Sequence, residues 1–392
     1  MFQGVIINPV SHPLQMAEGL VYAVNFSKFF CKTQPNPIYE QRKSIFEAPK
    51  PQTYLPLNIH NDKNLNTKPT PMKAKLLASL AGSEQEQFKT STLYTNVVAA
   101  HYNFLDSAIH YKKEYYTEVY LDTSIIVYNN AEPVLIMYSF SKDNTLSFFN
   151  EPTTIFSIDF ENSDDETEAH NQLIKKIKEF AYEKNFTFIH FNENHFLTSN
   201  FFDKIIDEDE QFELYLNLAV SERILKSNIR KSYKSLINWG ERNFETVVMN
   251  SENADHSIFI KFRDFHRRVA GKITRNDTSW DMQYEAIVKN EAYLIMAYYN
   301  TVLSSATLIT HGNKIAYYSV GVYDRELMAD NFALAHNNLM HALCFAKKVG
   351  LKEFCLGSIS KKSTDEKEKK IFYFKSGFTK TMRIKHSFTA TF

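Results

Sequence analysis

One arrangement of elements occurs twice in this chain of 392 residues, and it constrains the fold more than any other feature of the sequence. From Tyr116, YTEVYLDTSIIVYNNAEPVLIMYSFSKDNTLSFFNEP reads as successive strands. The turns fall at Asn129-Asn130 and Lys142-Asp143-Asn144, where Asn and Asp tolerate the tight backbone. After an acidic opening, Asn162 to Glu168, AHNQLIKKIKEFAYEKN carries apolar residues at helical spacing, and FTFIHF follows as a strand. Residues 291 to 357 repeat the order. EAYLIMAYYNTVLSSATLITHGNKIAYYSVGVY gives three strands with turns near Asn300 and at His311-Gly312-Asn313; NFALAHNNLMHALCFAKKVG is a helix with Gly350 at its C-terminal cap; LKEFCLG is a buried strand. Matching turns and helices stand about 170 residues apart, a typical domain length, so the unit is a duplication.

Two domains also follow from length, because single cores stop growing near roughly 250 to 300 residues. The boundaries expected are 1–90, 91–205 and 206–392. Nine of the eleven prolines lie within the first 71 residues, so the first segment is expected to be an irregular extension without long helices or central strands. Equal numbers of basic and acidic residues give a net charge of zero, so any polyanion site has to be local. The start lacks a basic stretch followed by a long apolar one, and no apolar run approaches a membrane span, which predicts a cytoplasmic protein. Cys31, Cys344 and Cys355 are too few and scattered for a disulfide framework, and the thirteen histidines show no paired ligand spacing; no metal is implied.

Between the two units lies ELYLNLAVSERILKSNIRKSYKSLINWGERNFE. Leu214, Leu216 and Leu218 alternate as a strand, Ser221 suits an N-cap, and one helix is expected over 221–239 up to Gly240. On it Arg223, Lys226, Arg230 and Lys234 share a basic face, while Ile229, Tyr233, Leu236 and Ile237 share an apolar one. Near the end of the chain, KIFYFKSGFTK surrounds Lys375 with aromatics and places Gly377 two residues later. Taken alone, that stretch reads as Ile371, Phe372 and Phe374 plugging a core while Lys375 reaches for water.

The meander, crossover helix and final strand are the layout of the GNAT acyltransferase fold. The basic strand-helix segment, FRDFHRRVAGKITRNDTSWDMQYEAI (262–287), AYYSVGVYDREL and YFKSGF, in that order, resemble the FemABX-type transferases over about residues 210 to 380. The resemblance implies an α+β protein of two tandem GNAT-like domains, with mixed, mostly antiparallel sheets flanked by helices. It also implies transfer of an acyl or aminoacyl group to an amino group on a cell-envelope precursor, nucleotide- or lipid-linked, of peptidoglycan or surface polysaccharide. It places Lys375 at the reacting centre and gives precursor phosphate to Lys272 or, slightly offset, Arg275. Trp280, Arg230 and Phe374 fall in the matching segments as substrate-side residues.

Amine attack on an ester or thioester puts negative charge on the carbonyl oxygen, and a fixed donor aimed there is typically the largest catalytic contribution. Lys375, held by its aromatic neighbours, fits that part, with Gly377 permitting close backbone approach. Candidates to take the amine's proton are His266, Asp277, Tyr318 and Asp324. Tyr317 and Tyr318 face opposite sides of one strand. A phosphate-cradling loop before the long helix would be glycine-rich; VYDRELMADNFALAH has no glycine and the first unit offers acidic ENSDDETEAH, so the usual CoA cradle is missing from both. No cofactor is firmly implied. The donor is left open between aminoacyl-tRNA, as in the FemABX-type proteins, and acyl-CoA or an acyl carrier. Two alternatives stand beside this reading: a CoA- or carrier-dependent N-acyltransferase of an amino sugar, and a non-catalytic binding module with the same fold.

Overall fold

A computed structural model describes residues 72–330 and 332–392; the proline-rich stretch 1–71 lies outside the described residues. The first unit begins with β1 (Met72–Leu76), α1 (Gly82–Thr90) and α2 (Asp106–Tyr115). It continues with β2 (Leu121–Asp122), β3 (Ile125–Asn129), β4 (Glu132–Tyr138), β5 (Phe140–Ser141), β6 (Thr145–Leu146) and β7 (Thr154–Ser157). Helix α3 (Ser163–Lys184), β8 (Phe188–Asn192) and α4 (His195–Phe201) complete it. The turns fall where Asn and Asp accept a left-handed backbone, with φ of 56° at Asn130 and 55° at Asp143. The acidic opening belongs to α3 itself: Asn162 caps it through Asp165 N–H, and Asp164, Asp165 and Glu166 meet the positive end of the helix dipole.

Residues 72–90 depart from the expected irregular extension. Met72–Leu76 pairs antiparallel with β3 as a sheet edge, and Met72 is buried in the first unit's core. The second unit comprises β9 (Ile205–Asn217), α5 (Glu222–Asn228), α6 (Lys231–Asn243), β10 (Glu245–Met249), α7 (His256–Ala270) and α8 (Asp277–Val288). Next come β11 (Ala292–Tyr299), β12 (Val302–His311), β13 (Ile315–Tyr323), α9 (Arg325–Ala329) and α10 (Leu334–Lys348). The chain finishes with β14 (Glu353–Ser360), α11 (Glu366–Lys375) and β15 (Thr381–Thr391).

A four-stranded antiparallel sheet runs β1-β3-β4-β7, and β2 pairs with β5. The larger sheet has nine strands in the order β10-β11-β12-β13-β14-β9-β15-β8-β6, with β13–β14 and β6–β8 parallel. The last strand, β15, therefore lies between β9 of the second unit and β8 of the first, and one sheet passes through both. Side-chain alternation separates the two faces of its second-unit half. Tyr293, Ile295 and Ile309 point toward α6 and α10, packing with Tyr233, Ile237, Leu339 and Leu343. Leu294, Met296 and Leu308 point the other way, toward Phe259 and Phe262 of α7 and Trp280 of α8.

The single helix expected over 221–239 is two helices, broken where Ile229 and Arg230 turn extended (ψ 137° and 133°). Tertiary contacts win over periodicity here: the Arg230 N–H donates to the Gly377 carbonyl at 2.7 Å, and Ile229 is buried in the core. Ser221 does cap α5 through Ile224 N–H, and α6 runs three residues beyond Gly240.

The β12–β13 turn is gripped by the first unit. Asn313 donates from its backbone N–H to Ala99 O at 2.7 Å and from its amide to Thr95 O at 2.8 Å; Lys314 Nζ donates to Asn96 O at 2.7 Å. A Cβ on Gly312 would overlap the backbone of Ala99 and Ala100. Gly312→Ala should therefore lower unfolding free energy by about 2 kcal/mol, the usual penalty for overpacking against groups that cannot move. Urea denaturation of the full chain measures it, and an unchanged midpoint would refute the close approach.

Candidate functional site

Parallel strands β13 and β14 pair only over Ile315–Tyr317 and Glu353–Cys355. On its other edge β14 pairs with β9 from Glu353 to Ser360, with an irregularity between Cys355 and Gly357, while its ladder to β13 ends at Cys355 and the two strands part. Divergence of parallel strands at their carboxyl ends is where open α/β sheets form ligand crevices. Gly357 sits at the opening with φ 103°, in the region that favours glycine, and a Cβ there would stand 3.2 Å from Lys375 Nζ. The last residue of α11 thus sends its amine into the gap.

Lys375 is 9% exposed, and its Nζ lies 4.5 Å from the centre of the Tyr318 ring. Among the described residues it makes no ion pair. Burial pulls its pKa down from 10.5 to about 8, with Cys355 opposing weakly. The expectation that its head would reach for water fails because Gly357 leaves an apolar slot of the right size. Tyr318 is fixed in turn, its hydroxyl 2.7 Å from that of Tyr323. A register shift between Leu308 and Ile309 brings both tyrosines to one face, and Gly321 leaves room for their two hydroxyls.

Arg230 and Phe374 come to the same corner. Arg230 stacks over Tyr373 at 4.3 Å and Tyr233 at 5.0 Å, and donates to Tyr233 Oη (3.2 Å) and Ser376 Oγ (3.4 Å). Phe374 packs edge-on to His336 at 5.1 Å and to Phe378 at 5.6 Å. His336 is buried, and desolvation, followed by the charge of Arg230, holds its pKa down to about 4, so it is neutral. Lys375, Tyr318, Phe374 and Arg230 are thus brought together.

The other expected site residues stand elsewhere. His266 (1% exposed) and Trp280 (0%) meet edge-to-face at 5.1 Å in the α7–α8 core, on the opposite face of the sheet. Arg275 is buried beside Trp280 at 4.5 Å and donates to Tyr111 Oη at 2.9 Å, across to α2. Lys272 is exposed on the loop after α7. Asp324 caps α9 through the N–H groups of Glu326 and Leu327 and pairs with Arg268 at 3.7 Å. Asp277 pairs with Arg263 and Arg267. None of these joins Lys375 in the gap, because α7 and α8 cover the far side. Spacing missed Tyr323, Gly357 and His336; the one available signal was glycine inside a strand pattern, at Gly321 and Gly357, which marks bulges and close approach.

No protein-family model and no curated protein matches the sequence. Solved structures do match. FemX superposes with a TM-score of 0.56 at 12% identity, over 82% of this chain and 97% of that one. A conserved protein of unknown function from Bacteroides thetaiotaomicron VPI-5482 matches with a TM-score of 0.48 at 9% identity, over 82% and 99%. A tandem GNAT protein from the clavulanic acid biosynthesis pathway matches with 0.46 at 11%, over 82% and 98%. The chain is an α+β protein with the FemABX-like fold of two tandem GNAT-like units. Among the described residues no helix is long and apolar enough to cross a membrane.

A buried lysine without an acidic partner weighs against stability. Its folded pKa lies below its unfolded one, so stability rises as pH passes from about 8 toward 10.5. Lys375→Met should accordingly stabilise the protein at pH 7 by up to about 3 kcal/mol, the equivalent of the shift. The gain should shrink above pH 8 and vanish near 10.5. Urea melts at pH 7 and 9.5 measure it; a destabilised variant at pH 7 would make Lys375 a structural residue.

Proposed function

We propose that the chain is an N-acyl- or N-aminoacyltransferase whose acceptor is an amino group of a cell-envelope precursor, with Lys375 at the reacting centre. The observation that carries this is the unpaired, desolvated amine of Lys375 at the mouth between β13 and β14. A structural lysine would be met by a carboxylate, as Lys112 is by Glu151 at 3.1 Å in the first unit. A non-catalytic binding module gives no reason for the difference. The nature of the acceptor, and aminoacyl-tRNA as donor, rest on the likeness of fold to FemX.

In this reading the neutral amine of the acceptor attacks the carbonyl carbon of an ester or thioester. The new N–C bond forms as the carbonyl electrons move to oxygen; collapse of the adduct breaks the C–O or C–S bond, and the carrier leaves with the proton the amine gives up. Protonated Lys375 donates to the oxyanion in a low-dielectric setting, where such a donor is strongest. Its position over the Tyr318 ring limits its rotation, and the Tyr318–Tyr323 hydroxyl pair keeps that ring in place. Phe374 and Arg230 hold the end of α11 and so set where the amine points.

The test pairs bulk aminoacyl-tRNA or acyl-CoA with nucleotide- and lipid-linked envelope precursors and reads acylated products by mass spectrometry. Lys375→Ala should lose at least about a hundredfold in rate while the protein stays folded. With wild type, the rate should fall as pH rises through about 8, where the lysine loses its proton. Undiminished transfer by the variant would remove Lys375 from the chemistry.

A further inference from the structure

The break between α5 and α6 has an outer side as well as the inner one that holds α11. Along a straight helix Arg223, Lys226, Arg230 and Lys234 would form one exposed stripe. The bend at Ile229–Arg230 turns Arg230 inward onto Tyr373 and folds the rest of the stripe into an elbow. There Glu222, Arg223, Lys226, Ser227 and Lys234 line a hollow of about 510 Å³. That is within the roughly 300–1,000 Å³ of small-ligand sites, yet no aromatic or aliphatic side chain lines it.

Three cations face one carboxylate here. That carboxylate, Glu222, reaches only Lys226, at 3.7 Å, and both side chains are about 60% exposed, a pair that water screens to little. In a chain of zero net charge this is a local concentration of positive potential. The elbow is also tied to the candidate site. Arg230, at the bend, donates from its backbone to Gly377 and from its guanidinium to the Tyr373 carbonyl, two residues either side of Lys375.

We propose that the α5–α6 elbow binds the phosphate or diphosphate group of the carrier or precursor whose reacting end lies at Lys375. This rests on the transferase reading for its purpose, though not for its chemistry. The three cations supply charge-assisted donors suited to an anion with several acceptor oxygens, and the hollow is large enough for a diphosphate with an attached sugar. The bend serves two ends at once: it fastens α11 on one side and forms an anion pocket on the other.

Calorimetric titration of the full chain with inorganic pyrophosphate, ADP and a short oligoadenylate tests this. The partner is the variant carrying Arg223→Ala, Lys226→Ala and Lys234→Ala. Binding to wild type, about tenfold or more weaker in the variant and weakened by added salt, is the expected result. Pyrophosphate and ADP binding together indicate a small phosphate carrier; oligoadenylate alone, with a steeper salt dependence, indicates an RNA backbone. No binding of any of the three, or equal binding by the variant, overturns the proposal. Lys375→Met should keep full affinity, so a failure of the catalytic reading leaves this result separate.

Discussion

Everything at the candidate site depends on where β15 lies. Its ten paired positions with β9 and five with β8 make it, among the described residues, the strand that joins both units in the large sheet. The segment just before it is α11, so the pairing of Thr381 with Tyr215 and of Met382 with Leu214 fixes the end of that helix against β14. Lys375 cannot reach the slot beside Gly357 unless this register is kept. A slip of one residue would exchange the faces of β15 and carry the amine away from the gap.

Two forces of opposite sign then meet at Lys375. Desolvation disfavours its charge strongly enough to lower the pKa to about 8, and the face of Tyr318, 4.5 Å away, offsets only part of that. The result is an amine whose protonation is near balance in ordinary solution. His336, a few ångströms across the same aromatic cluster, meets the same desolvation with Arg230 adding to it, and is neutral. One corner of the fold thus brings a lysine close to half-protonation and removes the charge from the imidazole beside it.

Sequence periodicity carried the local elements well, because the forces that set them are local. The Asn130 and Asp143 turns, α3 with its capped acidic start, α10, β8 and β14 were all legible from spacing and turn chemistry. What spacing does not encode is which face of a sheet a helix covers. Lys375 and Tyr318 were found together, while His266 and Trp280 were grouped with them and lie behind the sheet, since α7 packs on Leu294 and Leu308 rather than on Ile295 and Ile309. The bend at Arg230 was invisible for a similar reason: its cause is a carbonyl at Gly377, about 150 residues further along. Residues 72–90 differ from the proline-rich stretch before them because no proline follows Pro71 until Pro133, which leaves Met72–Leu76 free to pair with β3.

The position of β15 also bears on the order in which the molecule assembles. Its partner Asn192 on β8 is separated from Ser387 by about 200 residues, and such distant pairings are slow to form because a long loop must close first. As the chain leaves the ribosome, β8 and β9 both wait with one edge bare until residues 381–391 arrive. Bare strand edges invite pairing with other chains, and β9 carries Asp207, Glu208, Asp209 and Glu210 along that waiting edge. Four successive acids repel a second copy of the same strand, and in the folded protein two of them are met by Lys361 and Lys362 from the loop after β14.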